Sequence, residues 1–516
     1  MGRNLIMSTM VDIPTPRPRP KKSSSNAEWR PSGPKLLDSG VLQLTATIAL
    51  YSTLPVLFIR AFYIIDPDIW WHLRNGRWIL DHAAVPVTDP FSVYGMDKPW
   101  VAYSWLFDTF IAAVHGRFGL VGVAAYEIAV RLALGIALFH LVHGLMPRFW
   151  RAAALTGVGL FTIMRVIGPR PGMLTILFLI LELDILLSLR RKASPKLLWL
   201  LPPLFVVWAN CHIEFVDGLI VLGLFAAEPL INGVLRYEPR EKSGVAAEQV
   251  WLTLAASALA TLANPYGWKL YSTVFLYMGQ SKVFELIDEL RAMTFREPQH
   301  FAGLFLLVGA AMAMGWRRDA KPLWLMLMLL ASFMAFRMVR EIWFLTVISL
   351  CVISDGWNFA PPEAGRPQSS GVRRQALVAV WVLAIIVASC QRYGLSNLLL
   401  EVQVAGTFPE GASRFIEQHH LPGPLLNDLS WGGFLIWRLP ELPVAMDGRT
   451  NVHGEERILQ NSALWRGKPG WSSNPELSRA NLVLTPQDAA IAALLRTDPR
   501  FKVAYEDVQA VVFQRR

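Results

Sequence analysis

The sequence predicts an all-α polytopic membrane domain of about eleven helices, followed by a small C-terminal α/β domain. Three observations carry that reading. Of 516 residues, 53% are apolar and only 17% charged, whereas a soluble domain carries about 25% charged residues and lacks long uncharged runs. Eleven apolar runs are spread between residues 41 and 393. Beyond residue 394 the apolar runs become short and are separated by turn signals.

The composition excludes a soluble enzyme. The net charge of +10 does not point to nucleic acid, because a polytopic membrane protein collects Lys and Arg on its cytoplasmic loops for topological reasons. The three cysteines, Cys211, Cys351 and Cys390, lie in or beside apolar runs and define neither a disulfide framework nor a zinc site.

In chain order, residues 1–36 are rich in Pro and Ser and carry seven basic residues against two acidic ones. They are expected to form a disordered basic cytoplasmic tail. The first apolar run, 41–64, is too long for the apolar region of a signal peptide and reads as a retained span. Further spans are expected near 119–143, 150–166, 172–189, 197–213, 216–234, 249–264, 301–315, 322–338, 340–354 and 375–393. Several are shorter than the ~20 residues that cross a bilayer, so broken or re-entrant helices are expected. The segment 100–117 is apolar but interrupted by Asp108 and His115. Placing it at the interface puts the basic clusters 148–151, 190–196, 236–242, 317–321 and 366–374 on the cytoplasmic side, in keeping with the positive-inside tendency. The membrane domain, 37–395, then exposes a first outer loop, 65–118, and the segment 264–300 on the opposite face. The 396–516 domain lies there too.

In that C-terminal domain Leu482–Leu484, Phe501–Tyr505 and Val508–Phe513 read as strands, and Ala412–His419 and Pro486–Leu495 as helices. Pro422-Gly423-Pro424, Gly432-Gly433 and Asp447-Gly448 read as turns.

The most informative stretch opens the first outer loop: Asp66-Pro67-Asp68-Ile69-Trp70-Trp71-His72-Leu73-Arg74. Pro67 biases Asp66 away from helix and favours the start of a new one. His72 falls one helical turn beyond Asp68, and the tryptophans suit a headgroup layer. A partly desolvated carboxylate there gains strength as a proton acceptor, so Asp66 or Asp68 is the candidate base, or the ligand of a divalent metal cation if one is used. An interfacial helix with a capping Asp and an aromatic belt is the equally weighted structural alternative. Asp89, between turn elements, reads as a turn residue. Arg165 and Arg170 flank a Gly-Pro break, and such breaks are tolerated where backbone lines a cavity. These arginines, with Arg337 and Arg340, could hold phosphate oxygens; snorkelling to the interface and a structural pair with Glu341 are the plainer alternatives. The stretch from Asn210 through His212 to Glu214, with Asp217 behind, is expensive inside a membrane unless it faces water or a partner, and its spacing matches no strong zinc signature. Glu285, Asp288, Glu289 and Arg291 read as a solvated helix face. The charge-derived topology puts all these polar clusters on one side, which predicts a single polar cavity capped by the C-terminal domain.

An acidic first outer loop, interfacial helices, many spans and an outer C-terminal domain together resemble the integral-membrane glycosyltransferases of the GT-C fold. More narrowly, Asp66–Arg74, Trp208–His212, Asn264-Pro265-Tyr266-Gly267, Trp431-Gly432-Gly433 and Asp447-Gly448-Arg449 look like a group of bacterial membrane proteins usually placed beside that fold. The resemblance covers about residues 40–516. It implies a multi-pass protein of the bacterial cytoplasmic membrane that uses a polyprenyl-phosphate-linked sugar as donor. The acceptor would be an envelope glycan, lipid or protein hydroxyl, with inversion at the anomeric carbon and an acidic residue of the first loop as base. His72, Arg74, Asn210 and His212 join the four arginines as candidate substrate-binding residues. A transporter or flippase of lipid-linked saccharides, and a non-catalytic envelope assembly subunit, are the readings from other classes.

Overall fold

The computed structural model describes residues 40–61, 66–96, 98–191, 193–239, 245–280, 282–317, 321–357 and 371–516. The basic segment 1–36 and the loop positions Lys192, Arg240, Lys242, Arg318 and Arg366 lie outside the described residues.

A helix stands at each of the eleven places where an apolar run predicts one. Six are long and apolar enough to cross a bilayer, the mark of an integral membrane protein. These are α1 (Gly40–Ala61), α4 (Leu120–Leu145), α6 (Gly172–Arg190), α8 (Phe215–Val234), α11 (Pro298–Arg317) and α14 (Gly371–Tyr393). The other five are shorter: α5 (Phe149–Ile163), α7 (Leu201–Cys211), α9 (Ala247–Ala260), α12 (Pro322–Arg337) and α13 (Ile342–Gly356). The expected count of eleven spans thus becomes six helices of spanning length among the described residues, because turns and prolines cut the remaining runs. Pro202 and Pro322 sit in the first helical turn, where a missing N–H is harmless. α13 is buried on every side from Ile342 to Ser354, as a helix that is apolar all round must be. It packs against α4, α5, α6, α11 and α12 and forms the axis of the bundle.

Two shorter helices, α2 (Asp68–His82) and α3 (Trp105–Phe118), lie side by side in the first loop. At 14 residues, α3 falls short of the ~20 needed for a crossing. Trp70 and Trp71 do not form a headgroup belt. Both are buried, Trp70 edge-on against Phe408 and Phe434 of the C-terminal domain and Trp71 stacked on His72. Residues 269–280 and 282–291 form α10 (Lys269–Gly279) and then two short 3-10 turns, Val283–Glu285 and Asp288–Leu290, in place of the expected helix through 285–291.

After α15 (Asn397–Ala405) and α16 (Glu410–Gln418), the C-terminal chain builds a four-stranded sheet. β1 (Leu425–Asn427) pairs in parallel with β2 (Leu482–Pro486), which pairs antiparallel with β4 (Ala510–Arg515), which pairs antiparallel with β3 (Phe501–Glu506). Successive strand residues face opposite ways. Leu425, Leu482, Leu484 and Val512 therefore join the core that continues into the helix bundle. Leu426, Val483, Val511 and Phe513 turn to a second core with Ile491 and Leu495 of α21 (Ala490–Thr497). Burial on both faces explains why Leu482-Val483-Leu484 is uniformly apolar.

Two expectations fail here. Pro486 ends β2, so the helix predicted from 486 starts only at Ala490. Gly432 and Gly433 are not a turn but lie inside α17 (Leu429–Arg438). A Cβ on Gly432 would strike the Met446 carbonyl, and one on Gly433 the Pro67 carbonyl. Gly433 thus lets α17 approach Pro67 backbone to backbone, and Gly432 lets it approach the 446–447 segment.

Candidate functional site

Asp66 and Asp68 stand at the start of α2. The Asp68 N–H donates to Asp66 Oδ1 at 2.9 Å, which fixes the turn that Pro67 begins. The loop between α5 and α6 passes close by, since a Cβ on Gly168 would sit 3.0 Å from Asp66 Oδ2. That approach delivers Arg170. Its Nε donates to Asp66, its Nη1 donates to Glu289 Oε1 at 2.7 Å, and Nη1 lies 3.4 Å from Asp68 Oδ2. Arg340, in the break between α12 and α13, donates from Nη2 to Glu214 Oε1 at 2.8 Å. Its Nη1 lies 3.7 Å from the same Glu289 Oε1, and its Nε 3.5 Å from Glu341 Oε1.

Asp66, Asp68, Arg170, Glu214, Glu289 and Arg340 line one cavity of about 1240 Å³. The wall also carries Arg60, Arg131, Arg165 and Glu297, and an apolar lining that includes Leu54, Phe58, Met164, Ile176 and Trp343. The cavity is thus amphipathic.

Immediately around Arg170 and Arg340 the charge balance is uneven. Two guanidiniums, Arg170 and Arg340, face five carboxyls: Asp66, Asp68, Glu214, Glu289 and Glu341. Burial pushes the Asp68 carboxyl up, and the neighbouring Asp66 and Glu289 add to that against the pull of Arg170. Burial also raises Glu214, with Arg340 opposing, and raises Glu341 to about 7. Glu289 goes the other way: burial works to raise it, but Arg170 and Arg340 outweigh burial and hold it below the usual carboxylate range.

At the cavity wall, His72 Nδ1 lies 2.5 Å from Asp108 Oδ1. Asp108 Oδ2 accepts from Asn75 Nδ2 at 2.6 Å and from Ser104 Oγ at 3.2 Å. Asp108, which in sequence only interrupts an apolar run, therefore orients the His72 ring and ties α3 to α2. His212 Nδ1 lies 2.9 Å from Thr175 Oγ1, and burial lowers its pKa.

The C-terminal domain reaches the site through the Asp447-Gly448-Arg449 turn. A Cβ on Gly448 would collide with Asp68 Oδ1. Either side of this glycine, Asp447 and Arg449 pair at 2.7 Å, and Arg449 Nη1 donates to Asp89 Oδ1 at 2.7 Å. The Arg449 guanidinium lies over the rings of Trp100 and Phe91, 4.7 and 5.1 Å from their centroids. Asp89 does bend its own backbone, accepting from the Phe91 N–H, but it is more than a turn residue: it is buried and ion-paired across domains.

Of the residues singled out from sequence, Asp66, Asp68, His72, Arg165, Arg170, His212 and Arg340 line this one cavity. Three do not. Arg74 turns to the Phe91 ring. Asn210 is spent on the Trp105 indole and the carbonyls of Val206 and Ala263. Arg337 lies over Phe284 and Phe333. Arg165 reaches the cavity but pairs with Glu297 at an exposed position. Glu289, read as part of a solvated face, sits between the two central arginines. Among the described residues, no group of three or more His, Cys, Asp or Glu side chains is placed to hold a metal ion. Asp66 is instead held by Arg170.

No protein-family model and no curated protein matches the chain. Fold and site alone define its class: a helical integral membrane protein with an amphipathic cavity at the end of the bundle that carries an α/β domain.

Proposed function

We propose that the protein is a GT-C-like membrane glycosyltransferase that moves a sugar from a polyprenyl-phosphate donor to an acceptor hydroxyl at the outer face of the bacterial cytoplasmic membrane. The observation that carries this reading is the convergence of Asp66, Asp68, Arg170 and Arg340, from three distant stretches of chain, in one amphipathic cavity. A donor with a lipid tail and a phosphate-linked sugar needs both surfaces at once.

In this reading the isoprenoid lies along Leu54, Phe58 and Met164, and its phosphate meets Arg170 and Arg340. Arg170 donates to Asp66 and fixes its position. Asp68, with a carboxyl raised by burial, is the better proton acceptor. It takes the hydroxyl proton as the acceptor oxygen bonds to the anomeric carbon. The bond from that carbon to the phosphate oxygen breaks, its electron pair leaves on the phosphate, and the anomeric configuration inverts. The guanidiniums stabilise the charge that develops there, and a positioned base contributes roughly 10²–10⁴-fold.

Purified Asp68→Asn and Asp66→Asn variants, assayed for transfer from polyprenyl-phosphate sugars, test this. Turnover should fall at least about a hundredfold in Asp68→Asn. Full turnover in both folded variants would remove the mechanism, and passage of intact lipid-sugar across proteoliposomes with no product formed would favour a transporter.

A further inference from the structure

Glu289 presents one oxygen to two arginines that reach it from separate breaks between helices. Oε1 accepts from Arg170 Nη1 at 2.7 Å and lies 3.7 Å from Arg340 Nη1. The carboxylate therefore stands where a single phosphoryl oxygen bridging both guanidiniums would stand. Each arginine also keeps carboxylates from its own surroundings, Asp66 and Asp68 on one side and Glu214 and Glu341 on the other. These four belong to α2 or to the breaks between helices of the bundle, and Glu341 is fully enclosed.

Glu289 is placed differently. It sits on a 3-10 turn in the strap between α10 and α11, and about a third of its side chain is exposed. The strap is anchored at both ends. Before Glu289, the Lys282 N–H donates to Glu455 at 2.8 Å, and Val283 packs with Met446 and Ile458 of the C-terminal domain. After it, the Val339 N–H donates to the Arg291 carbonyl at 2.8 Å, and the Met293 N–H to the Phe336 carbonyl at 3.2 Å. The backbone is held while the side chain alone reaches in.

Electrostatics gives that side chain a consequence. Both guanidiniums are already paired with carboxyls, so an incoming phosphate must compete with acidic groups for them. Like charges within a few ångströms strongly oppose binding at the partial desolvation of such a cavity. Of the five, Glu289 is the one that can swing to solvent without leaving a buried charge behind.

We propose that Arg170 and Arg340 form a seat for one phosphoryl group, and that Glu289 is its built-in competitor, an internal anion that a phosphate ligand must displace. The inference deepens the transferase reading, since it names the phosphate subsite and what guards it, but it requires binding alone and no chemistry.

The test is equilibrium binding of farnesyl phosphate to the detergent-solubilised full chain, with inorganic phosphate as a headgroup-only arm. Glu289→Gln keeps the shape and removes the charge. It should tighten farnesyl phosphate binding roughly tenfold, and Arg340→Gln in that background should abolish the gain. The inorganic phosphate arm should tighten in parallel if the headgroup alone is read. Unchanged or weaker binding in Glu289→Gln overturns the proposal, weaker binding pointing to Glu289 as ligand of a cation. Failure of both proteins to bind either probe overturns it too. If Glu289→Gln does not fold, Glu289→Asp, whose carboxylate reaches less far, should still bind more tightly than the parent. The transferase reading fails separately: tight, Glu289-gated binding with no turnover would leave the seat standing and remove the chemistry.

Discussion

Two ionic clusters meet within one turn of backbone at Gly448, and they are built on opposite plans. On one side, Asp89, Arg449, Asp447 and His453 are all buried. Arg449 bonds both aspartates, and His453 Nε2 lies 3.2 Å from Asp447 Oδ2 while accepting from the Asp447 N–H at 3.1 Å. The Arg449 guanidinium lies against Trp100 and Phe91, and Arg457 Nη1 lies 3.1 Å from His453 Nδ1. On the other side, the cavity cluster opens onto about 1240 Å³ and carries five carboxyls for two guanidiniums. A fully buried network serves to lock two parts of a chain together. One beside a cavity holds carboxyls that a ligand or a proton can reach.

The strongest way to break the contrast is Arg449→Met. It leaves Asp89 and Asp447 buried without their partner and should cost about 3–5 kcal/mol, read as loss of the C-terminal domain's protection from proteolysis. Removing Arg170, at the open site, should damage stability far less.

Acid should tell the same story more gently. Burial works to raise Asp447, but Arg449 and His453 hold its carboxyl far below the ordinary value. A depressed folded value means that this group's stabilisation is complete above the unfolded carboxyl's ~4 and is lost as pH falls below it. Docking of the C-terminal domain should therefore be unchanged from pH 7 to about 5 and weaken progressively below about 4, followed by limited proteolysis across that range.

Gly448→Ala sharpens the comparison where the clusters touch. The new methyl meets Asp68 Oδ1, so it should displace the candidate base while costing only about 1–3 kcal/mol of stability. Turnover should drop with little change in donor binding. At the bottom of the scale, Arg77 and Asp81 pair on an exposed helix face, and Arg77→Ala should change melting by an amount worth less than about 0.5 kcal/mol.

The amphipathic bundle was legible because its information is local. Apolar runs of sufficient length put a helix at every expected place, and the β-rich runs 482–484 and 501–513 appeared as β2, β3 and β4. The meeting of Asp66 and Asp68 with Arg170 and Arg340 was legible for another reason: charge bias along the chain had already sorted these loops to one end. What escaped depended on distant partners. Gly432-Gly433 has the composition of a turn, yet it lies in a helix because Met446 and Pro67 press against it. Asp89 looks like loop punctuation until Arg449, 360 residues away, is brought to it. Glu289 sits among charges that read as solvated, and only the fold reveals the two arginines that claim it. Arg74, Asn210 and Arg337 erred the opposite way, their chemistry suited to a site but their side chains committed to aromatic rings and backbone carbonyls.

The most direct measurement is photo-crosslinking with a diazirine-bearing polyprenyl phosphate, with labelled positions mapped by mass spectrometry. Occupation of the cavity predicts adducts on α1 near Leu54 and Phe58 and on the 164–173 segment, suppressed by excess unlabelled polyprenyl-phosphate sugar. Adducts confined to other faces of the bundle, or insensitive to that competitor, would contradict a lipid-phosphate donor in this cavity.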